Sequence, residues 1–287
     1  MKTYALLGAA GYIAPRHITA IQQTGGKLLA ACDPSDSVGI LDSHCYHTQF
    51  FKAEDQLWEW LEKYPVDRLV VCTPNVQHMS HISYGLELGM DVICEKPLVL
   101  DPAHLGALHE LQAKTNRRVY TIFQLRLHPL VQALARELQG SADQHSVEVV
   151  YHTPRGYWYQ ESWKGNPSES GGLLFNIGVH LFDLLLWLFG PCTSTGDWEL
   201  SPESAKGELS CYWAEDVKWD LSISSVNKPK RLLVVDGQEY NLGLGFEALH
   251  SHCYAEINAG KGTGVTQAEP AIRLVDHLSR GEEPANG

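Results

Sequence analysis

A lysine closes a short apolar run in the stretch DVICEKPLVL, where Lys96 stands between Glu95 and Pro97. Between apolar neighbours an ammonium is disfavoured, so a lysine beside a cofactor can take part in proton transfer. The proline restricts the residue before it, and an X-Pro bond can be cis, which would fix the direction of the lysine side chain. A surface lysine in a β-to-α loop is the plain alternative. A second group is found in GGLLFNIGVHLFDLL, where His180 and Asp183 are three residues apart on a helical pattern and share a face. The carboxylate can then support the local field without touching the imidazole. A histidine buried in the core of an apolar helix is the alternative.

Further chemistry is written at the start of the chain. LLGAAGYIAPRH follows a strand pattern and opens a helix pattern, the context in which glycines let backbone amides approach a pyrophosphate. The spacing departs from G-x-G-x-x-G: Gly8 and Gly11 are three apart, Ala10 replaces a glycine, and Ala14 takes the last small position. Tyr12 and Ile13 continue the turn. Asp33 ends the next strand pattern, LLAACD, where an acid hydrogen-bonds an adenosine ribose diol and repels a 2'-phosphate, which favours NAD over NADP. CTPNVQHMSH supplies Thr73, Asn75 and His78 at another strand end, although Asn75 would serve equally as a helix cap. The cofactor-facing set is therefore Gly8, Gly11, Tyr12, Ile13, Asp33, Thr73, Asn75, His78, Glu95 and Lys96.

Those residues need a scaffold that gathers strand ends along one edge. The first third alternates TYALLGA, KLLAACD, VDRLVVCTP and DVICEKP with helical patterns, and RRVYTIFQLR follows as the closing strand. That alternation predicts β-α-β units and a doubly wound parallel sheet, whose ligands bind at the carboxyl edge. Gly25 and Gly89 close two of the helices, and Asp101 with Pro102 opens another. Beyond about residue 125 the order changes to PLVQALARELQG, SVEVVYH, a loop rich in Gly, Trp, Ser and Pro, an apolar helix, and then strands without helices between them. Asp236 and Gly237 supply a hairpin turn. The fold class expected is α/β: a Rossmann domain over residues 1–122, and an α+β domain on a mainly antiparallel sheet over 123–287 for substrate binding and oligomerisation.

Composition excludes other classes. Lys and Arg total 22 against 34 for Asp and Glu, a formal charge of -12 that repels nucleic acid and anionic lipid. An anionic ligand must be held by a local cluster of donors. No run of about 18 consecutive apolar residues suggests a membrane helix, and the N-terminal apolar run is too short for a signal peptide. The seven cysteines contain no C-x-x-C pair, which fits a reducing cytoplasm. HCYH and HSHC lack the usual ligand spacing, so no metal is expected.

EKPL after the Rossmann-like part, followed by GGLLFNIGVHLFDLL, resembles the glucose-fructose oxidoreductase, inositol dehydrogenase and rhizopine catabolism family of two-domain NAD(P) enzymes. The resemblance covers nearly the whole chain. It implies that Lys96 and His180 approach the reacting hydroxyl, that the Lys96–Pro97 bond is cis, and that Asp183 belongs to the same motif. Many members carry Asp where this chain has Asn176, so a carboxylate relay is missing at that position. Alcohol oxidation needs a base for the hydroxyl proton while hydride leaves for the nicotinamide. We expect His180 to act as the base and Lys96 to orient the hydroxyl and stabilise alkoxide charge; the reverse division stays open.

GAAGYIAPRH, QLRLHP, RGYWYQESWKG and NIGVH are similar to one branch of that family, the UDP-N-acetyl-2-amino-2-deoxyglucuronate 3-dehydrogenases of bacterial surface polysaccharide (lipopolysaccharide O-antigen) synthesis. The likeness implies a UDP-linked uronic acid (UDP-GlcNAcA) as substrate and a homo-oligomer, dimer or tetramer. Arg126, Arg155 and Lys164 would hold the diphosphate and carboxylate, with Trp163, Asn176 and His180 beside the sugar. Trp158, Tyr159 and Trp163 serve domain packing as readily as sugar stacking. A free-sugar or inositol dehydrogenase and a non-catalytic dinucleotide-binding regulator are the competing readings.

Overall fold

The computed structural model describes residues 1–281 apart from 37, 141, 142 and 247. They divide into two compact units. One comprises Met1–Val99, Ala103–Ile122 and His250–Gln267; the other comprises Leu100–Pro102, Phe123–Leu249 and the remainder from Ala268.

The first unit is built on six strands: β1 (Thr3–Leu7), β2 (Lys27–Cys32), β3 (Gln49–Phe51), β4 (Arg68–Val71), β5 (Asp91–Cys94) and β6 (Val119–Thr121). Their order in the sheet is β3-β2-β1-β4-β5-β6, and every pairing is parallel. Helices cover both faces of such a sheet, so its central strands are buried on both sides and read as unbroken apolar runs. β4 shows the pattern: all four of its residues are buried. The charge of Arg68 is accommodated there because its Nη1 donates to the Tyr4 hydroxyl at 3.0 Å and to Asn258 Oδ1 at 2.5 Å. The strand order reverses between β1 and β4, and the crevice at such a switch point receives the ligand.

Residues 250–267 return to this unit, whereas the sequence reading places its boundary at 122/123 and assigns them to the second domain. Thr121 N donates to Thr263 O at 2.9 Å, and Tyr120 bridges Gly264, so the returning segment covers the open edge of β6. The ring of Tyr254 packs 6.0 Å from that of Tyr4.

The second unit carries β7 (Ser146–His152), β8 (Cys192–Leu200), β9 (Ser204–Cys211), β10 (Ala214–Ser222), β11 (Lys230–Val235) and β12 (Gln238–Asn241). Its order is β12-β11-β7-β10-β9-β8; only β7 and β10 run parallel. Asp236 and Gly237 turn the β11–β12 hairpin with φ of 51° and 82°, the left-handed pair that matches strand twist. The helix Val179–Phe189 lies against this sheet, and Phe182 meets the buried Trp219 edge-on at 5.2 Å. Pro167–Phe189 is long and apolar enough to cross a membrane, although the sequence has no such uninterrupted run; 78% of its most apolar window is buried, so it is a core element.

Candidate active site

In the first unit the candidate cofactor residues lie at the carboxyl ends of adjacent strands. Gly8 follows β1 with φ +83°, and a Cβ there would stand 2.5 Å from the carbonyl oxygen of Cys72, so neither the conformation nor the space admits another residue. Gly11 donates its amide to Gly8 O at 3.1 Å and closes the turn. The helix Ala14–Gln23 begins with no side-chain cap and no acid in its first turn, which leaves its N-terminal dipole available to a phosphate. Tyr12 is 75% exposed on this turn, beside Ile13. Asp33 is buried after β2; its Oδ2 accepts from Ala10 N and its Oδ1 from Ser35 N, both at 2.9 Å. The carboxylate thus braces the glycine turn, with lone pairs left for a ribose diol. A backbone cradle, an uncapped helix and an acid at the second strand end together fit a dinucleotide.

Thr73 and His78 follow β4 in the chain. Thr73 Oγ1 is 2.9 Å from His81 Nδ1, whose Nε2 is 3.0 Å from Glu54. Asn75 is buried in the short turn Asn75–Gln77. His78 is fully buried, with Nδ1 2.7 Å from Pro97 O and Nε2 3.1 Å from Thr73 O. Burial lowers its pKa to about 4, against the pull of the two carbonyls. Its ring therefore bridges the segments that follow β4 and β5. The Lys96–Pro97 bond is cis. Glu95 is turned inward, where its Oε1 lies 2.9 Å from His17 Nε2 and 3.3 Å from His250 Nε2.

His17 is not among the sequence candidates, and His250 enters only through HSHC, set aside there as a metal group. His17 falls on the apolar face of the first helix, and HSHC around His250 carries no spacing that points to Glu95. Only the returning segment brings them together.

The second unit holds the candidate substrate residues. His180 is 8% exposed at the start of its helix, edge-on to Phe123 at 6.3 Å. A wider π-helical turn, Leu174–Gly178, precedes it and contains the buried Asn176, whose Nδ2 donates to Tyr159 OH at 2.6 Å. Such turns re-aim side chains within a helix and recur at functional sites. Arg126, expected to hold an anionic group, is engaged within the protein: its Nε and Nη2 bond both oxygens of Asp183. Burial pushes the Asp183 carboxyl up to about 6, against the attraction of Arg126. Arg155 lies 6.0 Å from the Tyr159 ring centroid, and its Nε is buried without a hydrogen-bond partner among the described residues. Lys164 Nζ sits 4.2 Å over the ring of Trp163. Tyr159 is buried while Trp158 is 53% exposed, so the first serves packing and the second faces solvent.

Comparison with known proteins agrees with this architecture. The model described as oxidoreductase family, NAD-binding Rossmann fold, matches residues 2–123, and that of the GFO/IDH/MocA C-terminal domain matches 143–199. The crystal structure of the WlbA (WbpB) dehydrogenase from Thermus thermophilus in complex with NAD and UDP-GlcNAcA is 39% identical with a TM-score of 0.93, covering 97% of this chain and 95% of that one. A structure of the same protein with NAD and alpha-ketoglutarate gives 39% and 0.94, over 100% and 98%. WlbA from Bordetella pertussis, with NADH and UDP-GlcNAcA, shares the fold at 18% identity and a TM-score of 0.83, over 96% and 94%. Inositol 2-dehydrogenase 4 from Saccharopolyspora erythraea is 24% identical over 262 residues, 88% of this chain and 71% of the relative. Two other curated oxidoreductases are matched over only 38% and 66% of their lengths. With an NAD-binding Rossmann unit, the second-domain sheet and a 39% identical relative spanned nearly end to end, the chain belongs to the GFO/IDH/MocA oxidoreductase family.

Proposed function

We propose that the protein is an NAD-dependent dehydrogenase that oxidises the C3 hydroxyl of UDP-N-acetyl-2-amino-2-deoxyglucuronate to the 3-keto sugar. The observation that carries this reading is the loop 153–166, where Arg155 keeps a buried Nε without a partner among the described residues and Lys164 is held over Trp163. An unmet guanidinium donor suits an oxygen of a carboxylate or diphosphate. With Arg126 engaged by Asp183, anion recognition falls chiefly to Arg155 and Lys164. The 39% identity to a WlbA solved with NAD and UDP-GlcNAcA supports the same substrate.

Bound NAD supplies the acceptor for the C3 hydride. Asp33 accepts from the ribose hydroxyls and disfavours a 2'-phosphate. His180 takes the hydroxyl proton, and Lys96 orients that hydroxyl and stabilises its developing negative charge. The structure with alpha-ketoglutarate of the same relative supports a 2-oxo acid as the acceptor that restores NAD. The 3-keto product suits an aminotransferase in cytoplasmic O-antigen precursor synthesis, with the enzyme working as a homo-oligomer.

Turnover efficiency on UDP-GlcNAcA, UDP-N-acetylglucosamine, glucose and inositol tests the reading in wild type and Lys164→Ala. Removing an anionic group strands a cationic donor, at about 1–3 kcal/mol per lost charged hydrogen bond. UDP-GlcNAcA should lead by at least about tenfold, with the ketone placed at C3 by NMR. Efficient oxidation of a free sugar, untouched by Lys164→Ala, would move the assignment to an aldose or inositol dehydrogenase.

A further inference from the structure

The buried carboxylate of Glu95, 8% exposed, is bonded by two buried histidines and one backbone amide, and alcohol oxidation by Lys96 and His180 gives it no task. Its Oε1 is shared by His17 Nε2 at 2.9 Å and His250 Nε2 at 3.3 Å. His17 Nδ1 is in turn 2.9 Å from the Tyr254 hydroxyl. Burial raises the Glu95 pKa, but hydrogen bonds from both histidines outweigh it and hold the carboxyl well below its ordinary value. Burial keeps His17 low as well. One proton arrangement satisfies these bonds: each imidazole donates through Nε2–H to the carboxylate, and Tyr254 O–H donates to His17 Nδ1.

The other oxygen of this carboxylate points along the chain. Glu95 Oε2 accepts the backbone N–H of Lys96 at 3.2 Å. On the far side of the lysine, the Pro97 carbonyl accepts from His78 Nδ1. The backbone around Lys96 is therefore gripped on both sides by buried histidines. One of them, His250, comes from the returning helix Leu249–Asn258.

We propose that His17 and His250 are positioning residues for Lys96: through Glu95 they fix the backbone that carries the lysine, and the returning helix acts as a latch on the end of β5. The proposal rests on the reading of Lys96 as an acid–base group. His17, Glu95 and His250 each offer one ligand atom, all within 4.8 Å of one another, so a divalent cation is the rival occupant. A metal would need both Nε2 positions free of protons, whereas the distances to Oε1 are those of hydrogen bonds with the proton in place.

The test compares His250→Leu, which removes the donor, with His250→Gln, whose amide N–H can replace it, and with Tyr254→Phe as a variant that keeps its volume. Each is measured for kcat, for KM for NAD, and for amide hydrogen exchange at Lys96. His250→Leu should lower kcat about tenfold, since small misplacements of catalytic groups cost this much or more. KM for NAD should change by less than about twofold, because cofactor binding itself is not what the latch serves. Exchange at Lys96 should quicken in the same variant, and His250→Gln should restore both quantities. Tyr254→Phe should shift them in the same direction by less. Unchanged exchange and kcat in His250→Leu, or equal losses in the Leu and Gln variants, would overturn the latch. Stoichiometric divalent metal in the purified wild type, lost in His250→Leu, would replace it by a metal site. If Lys96→Met keeps the wild-type rate, the role of Lys96 itself fails, while exchange at its amide still decides whether the latch exists.

Discussion

Arg126 donates from Nε to Asp183 Oδ2 at 2.9 Å and from Nη2 to Asp183 Oδ1, a fork-to-fork pair on the helix that carries His180. The side chains are 13% and 1% exposed, so neither charge has water to fall back on. Removing one partner of such a pair leaves an uncompensated buried charge and costs about 3–5 kcal/mol, whereas replacing both with apolar groups is often neutral. Asp183→Ala should therefore lose on the order of 3 kcal/mol in chemical denaturation, and Arg126→Met with Asp183→Leu should recover most of it. A loss below about 1 kcal/mol in the single variant would show the pair to be dispensable.

Two buried groups should push stability in opposite directions as pH falls. Asp183 binds its proton more tightly folded, at about 6, than at its ordinary 3.8, so its contribution is full below 3.8 and is lost as pH rises through about 6. His78 is depressed from 6.5 to about 4 by burial; its contribution is present above 6.5 and is lost as pH falls toward 4. Each shift corresponds to roughly 3 kcal/mol. Melting curves between pH 4 and 7 should show less acid destabilisation in His78→Gln than in wild type, and a smaller gain on acidification in Asp183→Asn. Parallel pH curves in all three proteins would contradict both assignments.

Hydride transfer is the readout for the acid–base pair. Lys96→Met and His180→Ala should each retain NAD binding by calorimetry while slowing single-turnover oxidation by about 100-fold or more. Wild-type rates in both variants would favour a dinucleotide-binding regulator.

Cofactor choice should rest on Asp33 and cofactor affinity on Gly8. Asp33→Ser should narrow the preference for NAD over NADP, because the carboxylate no longer opposes a phosphate. Gly8→Ala should weaken both cofactors and the fold together, since its Cβ would sit 2.5 Å from Cys72 O at φ +83°. Equal affinity for NAD and NADP in the wild type would remove Asp33 from that role.

The nucleotide end was legible because its signals are local. A glycine turn between apolar runs, an acid after the second run and a lysine after another all follow from the backbone of one strand or one helix, and the strands TYALL, KLLAAC, RLVV and DVIC appear where the alternation puts them. The hairpin at Asp236 and Gly237 was readable for the same reason. The short strand β3 and the largely exposed strand β8 were not, since neither carries a continuous apolar run.

By itself the sequence determined the two kinds of sheet and the glycine turn, and it nominated Lys96, His180, Asp33 and the cationic loop residues for the site. Only the tertiary structure decided what those residues touch. Arg126 meets Asp183 across 57 positions, and His250 meets Glu95 across 155. A buried charge takes whichever partner the fold brings within hydrogen-bond reach, and nothing in the residues next to it along the chain encodes that partner.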